Sequence, residues 1–114
     1  MRTMMVTTGL MGPMYSILKA NQDWLIDHGV PAHDASYFVG RTYLSVIQGA
    51  EFNCQDPTRF DELIKEQTPG GLNEQALQNL EYLGLIEAYR AAMDAMLSRL
   101  EGSSDGFIRT SNQE

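Results

Sequence analysis

The chain has 114 residues, 43% of them hydrophobic and 20% charged, the composition of one globular domain, long enough to build a core and short enough for a partner to matter to its stability. Fifteen acidic residues against eight basic ones leave a formal charge of -7, which repels nucleic acid and anionic membrane surfaces, so neither is expected as a partner. The apolar runs are a few residues long, the stretch Met1-Arg2-Thr3-Met4-Met5-Val6 lacks the apolar core of a secretory signal, and one cysteine makes no internal disulfide; the expected compartment is the cytoplasm.

Apolar positions recur at helical spacing almost throughout, and no segment sustains an alternation of period two, so the fold is expected to be all-α with about five helices. The first is predicted to begin at Gly12-Pro13, where the fixed φ of proline suits a first turn, and to run to His28 before Gly29. Tyr15, Leu18, Gln22, Leu25 and Ile26 share one of its faces. A second helix is predicted from Pro31 or Ala32 to Gly49 or Ala50, carrying Ala35, Phe38, Val39, Thr42, Val46 and Ile47. Gly40 lies inside it at a cost of up to about 1 kcal/mol relative to alanine, which points to a close helix crossing.

Asp56-Pro57 reads as an N-cap with proline at the first helical position, opening a short helix through Phe60, Leu63 and Ile64. The fourth helix is predicted from Leu72 or Asn73, with Ala76, Leu77, Leu80 and Leu83 on one face and Gly84 as its stop. The fifth runs from Leu85 to Leu100 with a stripe of Tyr89, Ala92, Met93, Met96, Leu97 and Leu100, closed by Gly102. Methionine fills irregular apolar gaps, so Met93 and Met96 are expected in the core or at a subunit interface. Residues 1–102 are then the helical domain, and 103–114, polar apart from Phe107 and Ile108, a flexible C-terminal tail.

Catalytic chemistry is sparse. There is no G-x-G-x-x-G, no strand to place it on, and no P-loop, so these residues encode no dinucleotide-binding fold. His28 and His33 have no Cys or His at metal-ligand spacing, and no metal is expected; His28, in a last turn, complements the helix dipole. Asp61, Glu62, Glu66, Glu74, Glu87 and Asp94 read as solvated faces. Cys54, with no His or basic neighbour in sequence, reads as a buried, inert thiol.

The informative run is Thr68-Pro69-Gly70-Gly71-Leu72-Asn73-Glu74-Gln75. A proline and two glycines open directly onto a helix, whose first-turn N–H groups lack intrahelical partners and carry the positive end of the dipole. A carboxylate or phosphate is the natural guest there, and Gly70 and Gly71 let it approach without a Cβ in the way.

Taken with Thr8-Gly9-Leu10-Met11-Gly12-Pro13-Met14-Tyr15 and the Gly29-Val30-Pro31 turn, the Thr68-Pro69-Gly70-Gly71 loop resembles the C-terminal domain of pyrroline-5-carboxylate reductases in order and spacing from about Val6 to Leu100. The resemblance starts a few residues after Met1, as a cut at a domain edge would give. It implies a helical domain that interlocks with its twin as a homodimer and sets each Pro-Gly-Gly loop beside the nicotinamide of NAD(P)H, held in cis by a Rossmann domain outside these residues. In such enzymes the cofactor gives hydride to the C=N carbon of a cyclic imino acid, yielding an amino acid such as proline, and this domain grips the carboxylate. The implied binding site comprises Thr68, Gly70, Gly71, Leu72 and Asn73, with the carboxylate on the amides of Gly71 and Leu72 and the Asn73 side chain.

Two departures bear on substrate. Asn73 stands where the family has Thr, which changes reach and donor number, and Met11 and Met14 replace small residues around Gly12-Pro13. The leading expectation is the dimerisation and substrate-binding domain of an NAD(P)-dependent reductase, inactive without its nucleotide-binding half. The alternatives are a freestanding helical dimer that binds or senses a small carboxylate, and a purely structural oligomerisation domain.

Overall fold

The structure is a computed structural model that describes residues 2–109. It contains six helices and no strand among the described residues: α1 (Arg2–Thr8), α2 (Met11–Asp27), α3 (Ala32–Glu51), α4 (Arg59–Lys65), α5 (Leu72–Tyr82) and α6 (Leu85–Leu100). The chain is all-α, and α2 to α6 are the five helices legible in the sequence. It divides into two compact units, Gly12–Pro69 and Met1–Met11 with Gly70–Glu114.

In the unit Gly12–Pro69, α2 stops where the sequence places its stop. Gly29 has φ +98°, and its N–H reaches the Ile26 carbonyl while that of Val30 reaches Leu25, both at 3.0 Å. This is the paired bonding of a left-handed helix end, and a Cβ at Gly29 would oppose it. Pro31, extended at ψ 142°, then leads into α3. That helix passes Gly49 and Ala50 and ends after Glu51, followed by Asn53 in the left-handed region at φ 61°. Asn21 Nδ2 donates to the Tyr43 hydroxyl at 2.9 Å, tying α2 to α3.

The start of α4 corrects the sequence reading. Asp56 does not cap a helix with Pro57 in its first turn; its Oδ1 instead accepts from the Thr58 N–H at 2.9 Å and the Thr58 hydroxyl at 2.8 Å. This side-chain turn holds the backbone out of the helix for two more residues, so that α4 begins at Arg59. Arg59 Nη2 donates to the Gly49 carbonyl at 2.9 Å, and its guanidinium lies 5.7 Å from the Phe52 ring centre, fastening α4 to the end of α3. Cys54, expected to be buried, is exposed, because it lies in the turn between those helices rather than on a packed face.

In the other unit, α6 packs against both α1 and α5. The helix α1 has no counterpart in the sequence reading, since Val6, Thr7 and Thr8 are β-branched and poor helix formers. Tertiary packing outweighs that preference: Val6 is buried, and Gly9, just past the helix, lies against the Met96 side chain of α6. Beyond α6, Ser103 N donates to the Ser98 carbonyl at 3.0 Å, and Gly106 runs close to Ala95 and Arg99. Asp105 accepts from the Phe107 N–H at 3.0 Å and from Arg109 at 2.8 Å. Residues 110–114 of the expected tail lie outside the described residues.

The buried core is small. Among the described residues Val6, Ala35 and Val39 are the buried hydrophobic side chains, whereas every helix exposes large apolar ones, with Phe38 63% and Ile47 53% accessible on α3. The predicted face of α3 is thus divided: Ala35 and Val39 are covered, and Phe38, Thr42, Val46 and Ile47 are open.

Candidate functional site

The residues Gly70, Gly71, Leu72 and Asn73 form one continuous turn into α5, as the sequence predicts. Gly70 has φ +76°, a conformation L side chains seldom adopt, and apart from its chain neighbours no described residue lies within 4 Å of where its Cβ would stand. Gly71 is the N-cap at φ -83° and ψ 174°, with no side chain to cap the helix, and its carbonyl accepts the first α-helical bond, from Gln75 at 3.1 Å. The N–H groups of Gly71, Leu72 and Asn73 meet no acceptor among the described residues. They are the orphan donors of a helix start, and the peptide dipoles of an 11-residue helix add positive potential.

The surroundings are open. Gly70, Leu72 and Asn73 are exposed, Leu72 at 83%, and Gly71 is half-buried. Thr68, the fifth predicted site residue, belongs to the unit Gly12–Pro69 and is exposed there. The Asn73 side chain makes no hydrogen bond with another described residue.

One residue that the sequence reading put on a solvated face takes part in the turn. Glu74, half-buried as the third residue of α5, accepts a hydrogen bond from the Gly70 N–H to its Oε1 at 3.2 Å. The signal was present in the spacing: a glutamate three residues after an N-cap is where a side chain folds back onto the amides preceding the helix. No cluster of three or more potential metal ligands exists among the described residues. No helix in the same residues is long and apolar enough to cross a membrane.

His28 follows the last residue of α2, with Nδ1 2.8 Å from the Trp24 carbonyl and its ring stacked on the Trp24 indole at 3.9 Å between centroids. A carbonyl only accepts, so Nδ1 carries the proton in this contact, and the imidazole serves the helix end as the sequence reading expects.

The residues at which this turn can hold a ligand are therefore backbone donors, suited to an anion's oxygen atoms and devoid of any general acid or base within the turn other than Glu74. No curated protein and no solved structure matches the chain. A family model described as pyrroline-5-carboxylate reductase dimerisation matches residues 2–102, which takes in all six helices, the Pro-Gly-Gly turn and Glu74. The chain belongs to the pyrroline-5-carboxylate reductase dimerisation family.

Proposed function

We propose that this domain pairs with a second copy of itself and holds the carboxylate of a cyclic imine for reduction by an NAD(P)H-dependent enzyme of which it is the C-terminal part. The observation that carries the reading is the conjunction of the family match over residues 2–102 with unpaired N–H groups at Gly71, Leu72 and Asn73. The amides of Gly71 and Leu72 take the carboxylate oxygens, and the Asn73 amide group, with two N–H donors, takes the place of a hydroxyl. Dimerisation is supported by the exposed apolar side chains on every helix. A second copy provides what this chain lacks, cover for Phe38, Val46 and Ile47.

The residues present do not fit a dinucleotide. No strand exists among those described, and so no strand–turn–helix unit receives a pyrophosphate. The nicotinamide, which supplies the reducing equivalents when bound, is assigned to a Rossmann domain in cis, and the contribution of these residues is to bind and orient the substrate.

The test is a titration with L-proline, followed through the amide resonances of Gly71 and Leu72. The wild-type chain binds it, and Gly71→Val, which places a branched side chain between the donors and the ligand, weakens binding at least tenfold. Mixed with NADPH and pyrroline-5-carboxylate, the chain alone oxidises no cofactor, and fusion to a Rossmann domain of the same family restores oxidation. Turnover by these residues alone would overturn the reading.

A further inference from the structure

We propose that the groove between α1 and α6 is a second binding site, for a small monocarboxylate built on one apolar ring, with its charge on Arg99 and its ring on Met5, Met96 and Leu100. The groove has a volume of about 310 Å³ and is lined by those four residues with Thr8 and Gly9. It shares no residue with the turn at Gly70 to Asn73. Gly9 is what brings its walls together: the Met96 methyl group occupies the place where a Cβ at Gly9 would stand, so the α6 thioether reaches the end of α1.

Charge complementarity selects the occupant. Arg99 is the one charged residue of the lining, and no carboxylate lines the groove. Lys19 and Arg109 pair with Asp23 and Asp105, and Arg59 donates to the Gly49 carbonyl, whereas the Arg99 guanidinium meets no acceptor among the described residues. The Thr8 hydroxyl already donates to the Met5 carbonyl at 2.7 Å, which leaves the guanidinium as the side-chain donor for a ligand. A planar carboxylate meets it through two parallel N–H···O bonds. The stem of Arg99 is held from the other side, since a Cβ at Gly106 would stand 2.9 Å from Arg99 Cβ and 3.2 Å from Cδ; a restrained side chain loses less freedom on binding. The rest of the lining is apolar and open, Met5 at 49% and Leu100 at 37% accessible. Thioethers adapt to irregular shapes and make favourable contacts with aromatic ring edges. The volume stands at the lower end of the roughly 300–1,000 Å³ of small-molecule sites, which suits one ring.

The test is a titration of the full chain with 3-phenylpropanoate, followed through its amide resonances. Saturable shifts at Thr8, Gly9 and Leu100 are the expected result. Arg99→Gln, which keeps most of the stem and removes the charge, weakens binding about fivefold, the value of one ion pair at about 4 Å in water. The neutral 3-phenylpropanamide binds wild type as weakly as the acid binds Arg99→Gln, a comparison that needs no variant to fold. Met5→Ala, which removes one apolar wall, weakens the acid and the amide alike. If the acid and the amide bind wild type equally, or no resonance of the groove moves, the inference is overturned. If the acid instead moves Gly71 and Leu72 and leaves Thr8, Gly9 and Leu100 in place, this site is likewise overturned while the carboxylate site at the turn stands.

Discussion

At two turns of the chain a carboxylate holds the backbone in place, and each is marked by its ionisation. The Thr58 N–H, then the Thr58 hydroxyl, keeps the Asp56 carboxyl below its ordinary 3.8; the Phe107 N–H, then Arg109, does the same for Asp105. A carboxyl whose folded pKa is depressed stabilises the fold above its unfolded value and loses that contribution as pH falls through the folded one. Both turns should therefore be fully formed above 3.8 and open in acid below it. Carboxyl-carbon shifts followed by NMR should give midpoints under 3.8 for both residues; a midpoint at or above that value contradicts the Asp56 and Asp105 contacts. At this scale, much of the candidate site was legible. A proline and two glycines before an apolar period announce a helix start with free donors, which is why Gly70 to Asn73 are candidates. Glu74 was missed because its part depends on the way its side chain folds back, whereas its place on the helix wheel looked like solvent.

The helices were readable because their stops are chemical: Gly29, Gly84 and Gly102 each take positive φ beyond the helices that the sequence closes with them. Two features escaped. The α1 helix is built from weak helix formers and exists by packing on α6, which local propensity does not report. The Asp56-Pro57 pair resembles a helix cap in sequence and folds as a side-chain turn, since Asp56 finds Thr58 first. Gly40 suggests a close helix crossing, yet among the described residues nothing beyond its own helix backbone and chain neighbours lies within 4 Å of its Cβ position. With Leu18, Gln22 and Val39 it lines a groove of about 330 Å³ in the α2–α3 unit. In the proposed dimer the crossing helix comes from a second copy, and Gly40→Leu should raise the dimer dissociation constant at least tenfold while helix content by circular dichroism is retained. Were this face turned to water in the native assembly, replacing glycine by a good helix former would stabilise α3 by up to about 1 kcal/mol and leave association unchanged.

For the molecule as a whole, burial decides the account. Among the described residues three hydrophobic side chains are buried, one of them an alanine, a small core for six helices. The sequence composition could not reveal this, because 43% hydrophobic residues would suffice for an ordinary core; their exposure becomes visible on the folded chain. In the proposed dimer, folding and association are one process, in which the apolar faces of α3 and of the other helices are completed by a second copy. Sedimentation equilibrium of the chain at micromolar concentration, with circular dichroism on the same sample, tests this most directly. A helical species of twice 12.8 kDa, losing its helicity as dilution dissociates it, is the result the account predicts. A stable, fully helical monomer of 12.8 kDa would contradict it.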